Sequence, residues 1–122
     1  MSGKSTLRGA LGHLEWPFFD EPHRVFARRL DDWIAEGGLE GIDHADTDAA
    51  CKSLVVRLGE AGLLEPCVPA SFGGASDLLD SRLLCIARER LAFADGLADF
   101  AFAMQGLGTG AISLAGQRAV QE

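Results

Sequence analysis

The sequence predicts an all-α fold of about five helices. Three observations lead there. Apolar residues recur three and four positions apart in several stretches, the spacing of one face of a helix. No stretch alternates apolar and polar residues as a half-buried strand does. Glycines and prolines fall between the periodic stretches and separate them into short, closely connected segments.

The first helix is expected after Asp20, a good N-cap, with Pro22 in its first turn. Phe26, Leu30, Trp33 and Ile34 form its apolar stripe, with Arg28, Arg29, Asp31 and Asp32 mostly on the other side. Gly37-Gly38 ends it, and an acidic loop runs to Asp46. Ahead of it, residues 1–17 read as a flexible leader, with Trp16, Phe18 and Phe19 packing back onto the first helix. A second helix is expected from Asp48 to Ala61, with Ala50, Leu54, Leu58 and Ala61 in one stripe. Gly62 suits the left-handed position that closes a helix. Pro66 and Pro69 oppose renewed helix around Val68, and Gly73-Gly74 frees the backbone before the next element.

Ser76 or Asp77 is expected to cap a third helix carrying Leu79, Leu83, Ile86, Arg90 and Leu91 inward, with Asp80, Arg82, Arg88 and Glu89 facing water. Gly96 then interrupts. Leu97, Phe100, Ala101 and Met104 predict a fourth helix with Asp99 as its only ionisable residue. A helix apolar nearly all round is expected to be covered on more than one side. Gly106, Gly108 and Gly110 should loosen it through close approach of a backbone or a ligand. Gln117 to Glu122 begin a fifth helix that stops without a cap, as in a domain cut from a longer protein.

Composition limits the function. The 122 residues fit one domain, and 48% hydrophobic content excludes a disordered chain. A net charge of −7 argues against nucleic acid and against an anionic membrane surface, since both call for clustered Lys and Arg. No apolar run has transmembrane length, and no signal peptide follows Lys4, so a cytoplasmic location is expected. Cys51, Cys67 and Cys85 are odd in number, widely spaced, and expected to be buried or half-buried thiols. No metal-ligand spacing links His13, His23 and His44, and His23 is expected at the surface. Gly106 to Gly110 lacks both the spacing and the preceding strand of a dinucleotide fingerprint. Asp99 is expected to reach solvent at a helix edge. No residue in the chain is assigned a catalytic role.

Several motifs in order resemble one family. Leu58-Gly59-Glu60-Ala61-Gly62-Leu63-Leu64 precedes Val68-Pro69-Ala70-Ser71-Phe72-Gly73-Gly74. Arg88-Glu89-Arg90-Leu91-Ala92 follows, then Gln105 to Ile112 with Ala115-Gly116. Together with His23-Arg24-Val25-Phe26, these resemble the N-terminal helical domain of acyl-CoA dehydrogenases over residues 18–122. Ala70-Ser71 stands where that family often has an acidic pair, and Phe72 where it often has tyrosine.

The resemblance implies a flavoprotein oxidoreductase of fatty acid metabolism whose middle β-domain and C-terminal helical bundle lie outside this sequence. In such an enzyme a glutamate removes the α-proton of an acyl-CoA thioester and FAD accepts the β-hydride. Both groups belong mostly to those other domains, so this chain alone is expected to be inactive. The resemblance further implies a homo-oligomer and an electron-transfer flavoprotein partner. It places Phe100, Ala103, Met104 and Leu107 along the acyl-chain cavity as substrate-binding residues. The same pattern is compatible with the equivalent domain of an acyl-CoA oxidase or flavin monooxygenase, and with a non-catalytic helical assembly module.

Overall fold

A computed structural model describes residues 12–122. Those residues form five α-helices and three short 3-10 turns, with no strand among them. The helices are α1 (Glu21–Ala35), α2 (Thr47–Glu60), α3 (Ser81–Ala94), α4 (Gly96–Ala115) and α5 (Arg118–Gln121). The all-α reading therefore holds. The central pair is α3 and α4, with α1 against α3 and α2 against α4. Leu30, Leu54, Leu58, Leu63, Ile86, Leu91 and Phe102 fill the space between them.

Helix boundaries follow from capping. Asp20 precedes α1, and Pro22 sits in its first turn as expected. Asp46 caps α2 by accepting from the Ala49 N–H at 3.1 Å. Asp95 serves two helices at once. Its backbone N–H closes α3 on the Leu91 carbonyl, and its side chain accepts from the Leu97 and Ala98 N–H groups that open α4. One residue thus joins the two central helices.

Residues 12–17 are not detached from the fold, contrary to the leader reading of 1–17. Gly12–Glu15 makes a 3-10 turn with Leu14 buried in the core, and Arg24 donates to the Leu14 carbonyl at 2.9 Å. The remainder of the expected leader lies outside the described residues. Phe19 packs against the core as anticipated, but Trp16 and Phe18 are exposed.

The connection from α2 to α3 is as constrained as its sequence implies. Gly62 and Gly73 both have left-handed φ values, 70° and 93°. At Gly74 a Cβ would fall 1.5 Å from the Val68 carbonyl oxygen, so no other residue fits that backbone. The prolines block α-helix but not 3-10 turns, which form at Glu65–Cys67 and Ala70–Phe72. A difference appears at the start of α3. Its cap is Asp80, which accepts from the Arg82 N–H at 3.0 Å, and not Ser76 or Asp77. Asp77 instead accepts from the Ser71 N–H within the loop, leaving Leu79 exposed ahead of the helix.

Candidate functional site

Helix α4 is one uninterrupted helix of 20 residues, and Gly106, Gly108 and Gly110 do not break it. The close approach of another backbone expected at these glycines is absent among the described residues. A Cβ at Gly106 would make ordinary contact with Cys67 Sγ at 3.6 Å, and at Gly108 or Gly110 it would meet nothing within 4 Å. The helix is held instead by Thr109, whose hydroxyl lies 2.8 Å from both the Cys67 and the Gln105 carbonyls.

Ala98, Ala101 and Phe102 point into the core. Phe100, Met104 and Leu107 lie roughly opposite, at about 100° per residue round the helix. They are 52%, 40% and 68% exposed, and Ala103 beside them is half-buried. The structure therefore brings the four sequence-predicted residues together on one apolar face, and that face is open. Their side chains carry no hydrogen-bond donor and no charge, so the face suits an aliphatic surface.

A second apolar feature was not singled out from the sequence. A pocket of about 90 Å³ opens between the 65–80 segment and the end of α4, lined by Val68, Pro69, Leu79, Leu83, Gly110 and Leu114 among others. None of Phe100, Ala103, Met104 and Leu107 lines it. The sequence marked its loop wall through Pro66 and Pro69, but the wall from Leu79 to Leu83 depends on where Asp80 starts α3.

The polar groups are spent elsewhere. His23, expected at the surface, is only 2% exposed. Its Nδ1 accepts from the Asp20 N–H at 2.8 Å, so its proton sits on Nε2 and donates to Asp80 Oδ2 at 2.6 Å. His23 occupies the N3 place where a capping box usually has Glu or Gln. Arg82 returns the link from α3, donating to Asp20 Oδ2 at 3.1 Å and to the Phe18 carbonyl at 2.9 Å. Burial pushes the Asp80 carboxyl up, but hydrogen bonds from His23 and Arg82 outweigh it and hold the carboxyl below its ordinary value. With both imidazole nitrogens engaged and the ring buried, this corner acts as a structural clasp between α1 and α3.

Other charged groups are likewise committed. Asp99, expected to reach solvent, takes two hydrogen bonds from Arg88 at 2.9 and 3.1 Å. Arg90 is buried as its place in the stripe implied, with its Nε 3.0 Å from Asp31. Burial pushes the Cys67 thiol up to about 11, which keeps it neutral and a poor nucleophile. Cys85 is exposed, not buried or half-buried. Among the described residues no group of three His, Cys, Asp or Glu is placed to hold a metal ion.

FAD, implied by the resemblance, calls for donors around its pyrophosphate. The open face of α4 supplies none, and the pocket near its end is edged by Asp77 and Asp80. Neither surface therefore fits the FAD pyrophosphate.

Comparison with known proteins supplies the family. The description "Acyl-CoA dehydrogenase, N-terminal domain" matches residues 20–122. The chain belongs to this family. The match begins at the cap of α1 and runs through all five helices. A short stretch is also similar to "2-O-methyltransferase NoeI" of Sinorhizobium fredii (strain NBRC 101917 / NGR234). That likeness is 49% identity over 41 residues, covering 31% of this chain. The chain spans 17% of that relative's length, too little to carry an argument about fold or activity. Among the described residues no helix is long and apolar enough to cross a membrane.

Proposed function

We propose that this chain acts as the N-terminal helical domain of an FAD-dependent acyl-CoA dehydrogenase-like oxidoreductase, acting on CH–CH groups of acyl-CoA thioesters. Its share of the work is to bind: Phe100, Ala103, Met104 and Leu107 form one wall of the acyl-chain pocket. The observation that carries this reading is the open apolar face of α4 in a chain of this family. An aliphatic chain needs a wall free of donors and charges, and Met104 can adjust to chains of different shape. On this reading most FAD contacts, the catalytic base and most subunit contacts belong to the family's middle and C-terminal domains, and the electron-transfer flavoprotein meets the complete enzyme.

The test has two arms. The purified chain should carry no flavin absorbance and should not dehydrogenate octanoyl-CoA. Amide shifts on titration with octanoyl-CoA should concentrate at Phe100, Ala103, Met104 and Leu107. Shifts concentrated at Val68, Leu79 and Leu83 would move the acyl site to the loop pocket. Flavin bound stoichiometrically to this chain alone would overturn the division of labour.

A further inference from the structure

Helix α4 changes character along its length. Its first half is anchored in the core by Ala98, Ala101 and Phe102, but beyond Phe102 no described residue is buried. Three of the five residues from Gly106 to Gly110 are glycine, the poorest helix former after proline. The far half and α5 are bound mostly to one another. Gln121 donates its side-chain amide to the Ile112 and Ser113 carbonyls, and Arg118 pairs with Glu122. Among the described residues, a single hydrogen bond ties residues 106–122 to any element outside α4 and α5, from Thr109 to the Cys67 carbonyl. That bond is easily exchanged. The Thr109 hydroxyl has one proton and two acceptors at 2.8 Å, the Cys67 carbonyl across the gap and the Gln105 carbonyl one turn back in its own helix. A threonine that turns to the carbonyl four residues before it stays satisfied and bends its helix. Letting go of Cys67 therefore strands no donor on Thr109, and an opened gap lets water reach the Cys67 carbonyl.

We propose that the far half of α4, with α5, is a flap hinged on Gly106–Gly110 and latched by Thr109, and that its swing opens the pocket between it and the 65–80 segment. Gly110, Ser113 and Leu114 form the flap's side of that pocket, while Val68 and Leu83 stay with the body. The glycines supply the bend, since kinks in helices concentrate at glycine and at side chains that compete for the backbone ladder. Closed, the pocket holds about 90 Å³. Ordinary ligand sites start at roughly 300 Å³. An apolar ligand of ordinary size therefore enters only when the flap has swung away. The device rests on contacts within this chain and not on the acyl-chain reading of Phe100, Ala103, Met104 and Leu107.

Cys67 reports the motion. It lines the pocket, is 5% exposed and packs against α4 at Gly106, whereas Cys85 is exposed and serves as the reference thiol. The experiment is alkylation of the purified, folded chain with N-ethylmaleimide, followed thiol by thiol by peptide mass spectrometry. Thr109→Val should speed labelling of Cys67 by roughly fivefold, the worth of one hydrogen bond. Thr109→Ser keeps the hydroxyl and should keep the parent rate. Gly108→Ala combined with Gly110→Ala should slow it by roughly fivefold or more, because both stiffen the hinge. Ile86→Val loosens the core and should leave the Cys67 rate unchanged, because the flap opens without general unfolding. Cys85 should react alike in every variant. A Cys67 rate that rises with Ile86→Val as much as with Thr109→Val would overturn the proposal. So would a rate indifferent to Thr109→Val, one that Thr109→Ser raises equally, or one that the two alanines fail to slow. The labelling needs no acyl-CoA, so the flap and the acyl wall stand or fall separately.

Discussion

The corner where α1 and α3 begin and the outer face of α4 stand in opposite states. At the corner the polar groups find partners within the chain: Asp20, His23, Asp80 and Arg82 close on one another across 62 residues of sequence. On α4 the core side is filled by Ala98, Ala101 and Phe102, while the far side leaves large apolar side chains in water. Satisfied polar groups fix geometry, because each broken hydrogen bond leaves a buried donor or acceptor. Unsatisfied apolar area does the reverse and favours any cover. The chain holds its own fold at one end and presents a surface at the other.

The comparison breaks most severely if the inner side of α4 is emptied. Phe102→Ala should cost about 3–5 kcal/mol in urea unfolding, because the ring lies among helices that cannot collapse fully around the gap. Loss near zero would mean that α4 is held by something other than its core side.

The corner is tested by Asp80→Asn. The folded carboxyl titrates below its ordinary value, so its contribution is fully present above about pH 4 and is lost as pH falls through the folded value. The variant should be less stable than the parent at neutral pH by about 1–3 kcal/mol, the usual worth of hydrogen bonds to a charged group. The gap between them should narrow in acid. A gap that stays constant from pH 7 to strongly acidic conditions would remove the carboxylate from the explanation.

On the open side the effect is smaller and has the other sign. Gly108→Ala meets no neighbour and removes a flexible residue from a helix interior. It should raise stability by about 0.5–1 kcal/mol in thermal unfolding. A decrease would show that the added methyl group meets an obstacle.

Much of this contrast is legible in the sequence, for identifiable reasons. The stripes of α1 and α2, the role of Asp20, the left-handed Gly62 and the apolar character of α4 all follow from local spacing and backbone preference. His23 did not, because its burial depends on Asp80, which lies 57 residues away. The same long-range link explains the late start of α3. Asp77 looked as good a cap by local rules, and only the competing bond to Ser71 and the pull of His23 on Asp80 separate the two. The glycines of α4 misled in the other direction. They suggested close packing, but residues 108 and 110 face open space. Phe100, Ala103, Met104 and Leu107 were grouped by a family resemblance. The structure adds that they share one open face.

The double duty of Asp95 has a kinetic consequence. Since one residue ends α3 and begins α4, their antiparallel hairpin forms with almost no loop to close. Contacts between neighbouring segments cost least entropy to make, so this pair is placed to assemble first. The later docking of α1 then brings His23 to a partner already in position. Substitutions at Leu91 and Ala98 should therefore slow refolding, whereas those at Phe26 and Leu30 should act mainly by hastening unfolding, a distinction that stopped-flow chevrons would record.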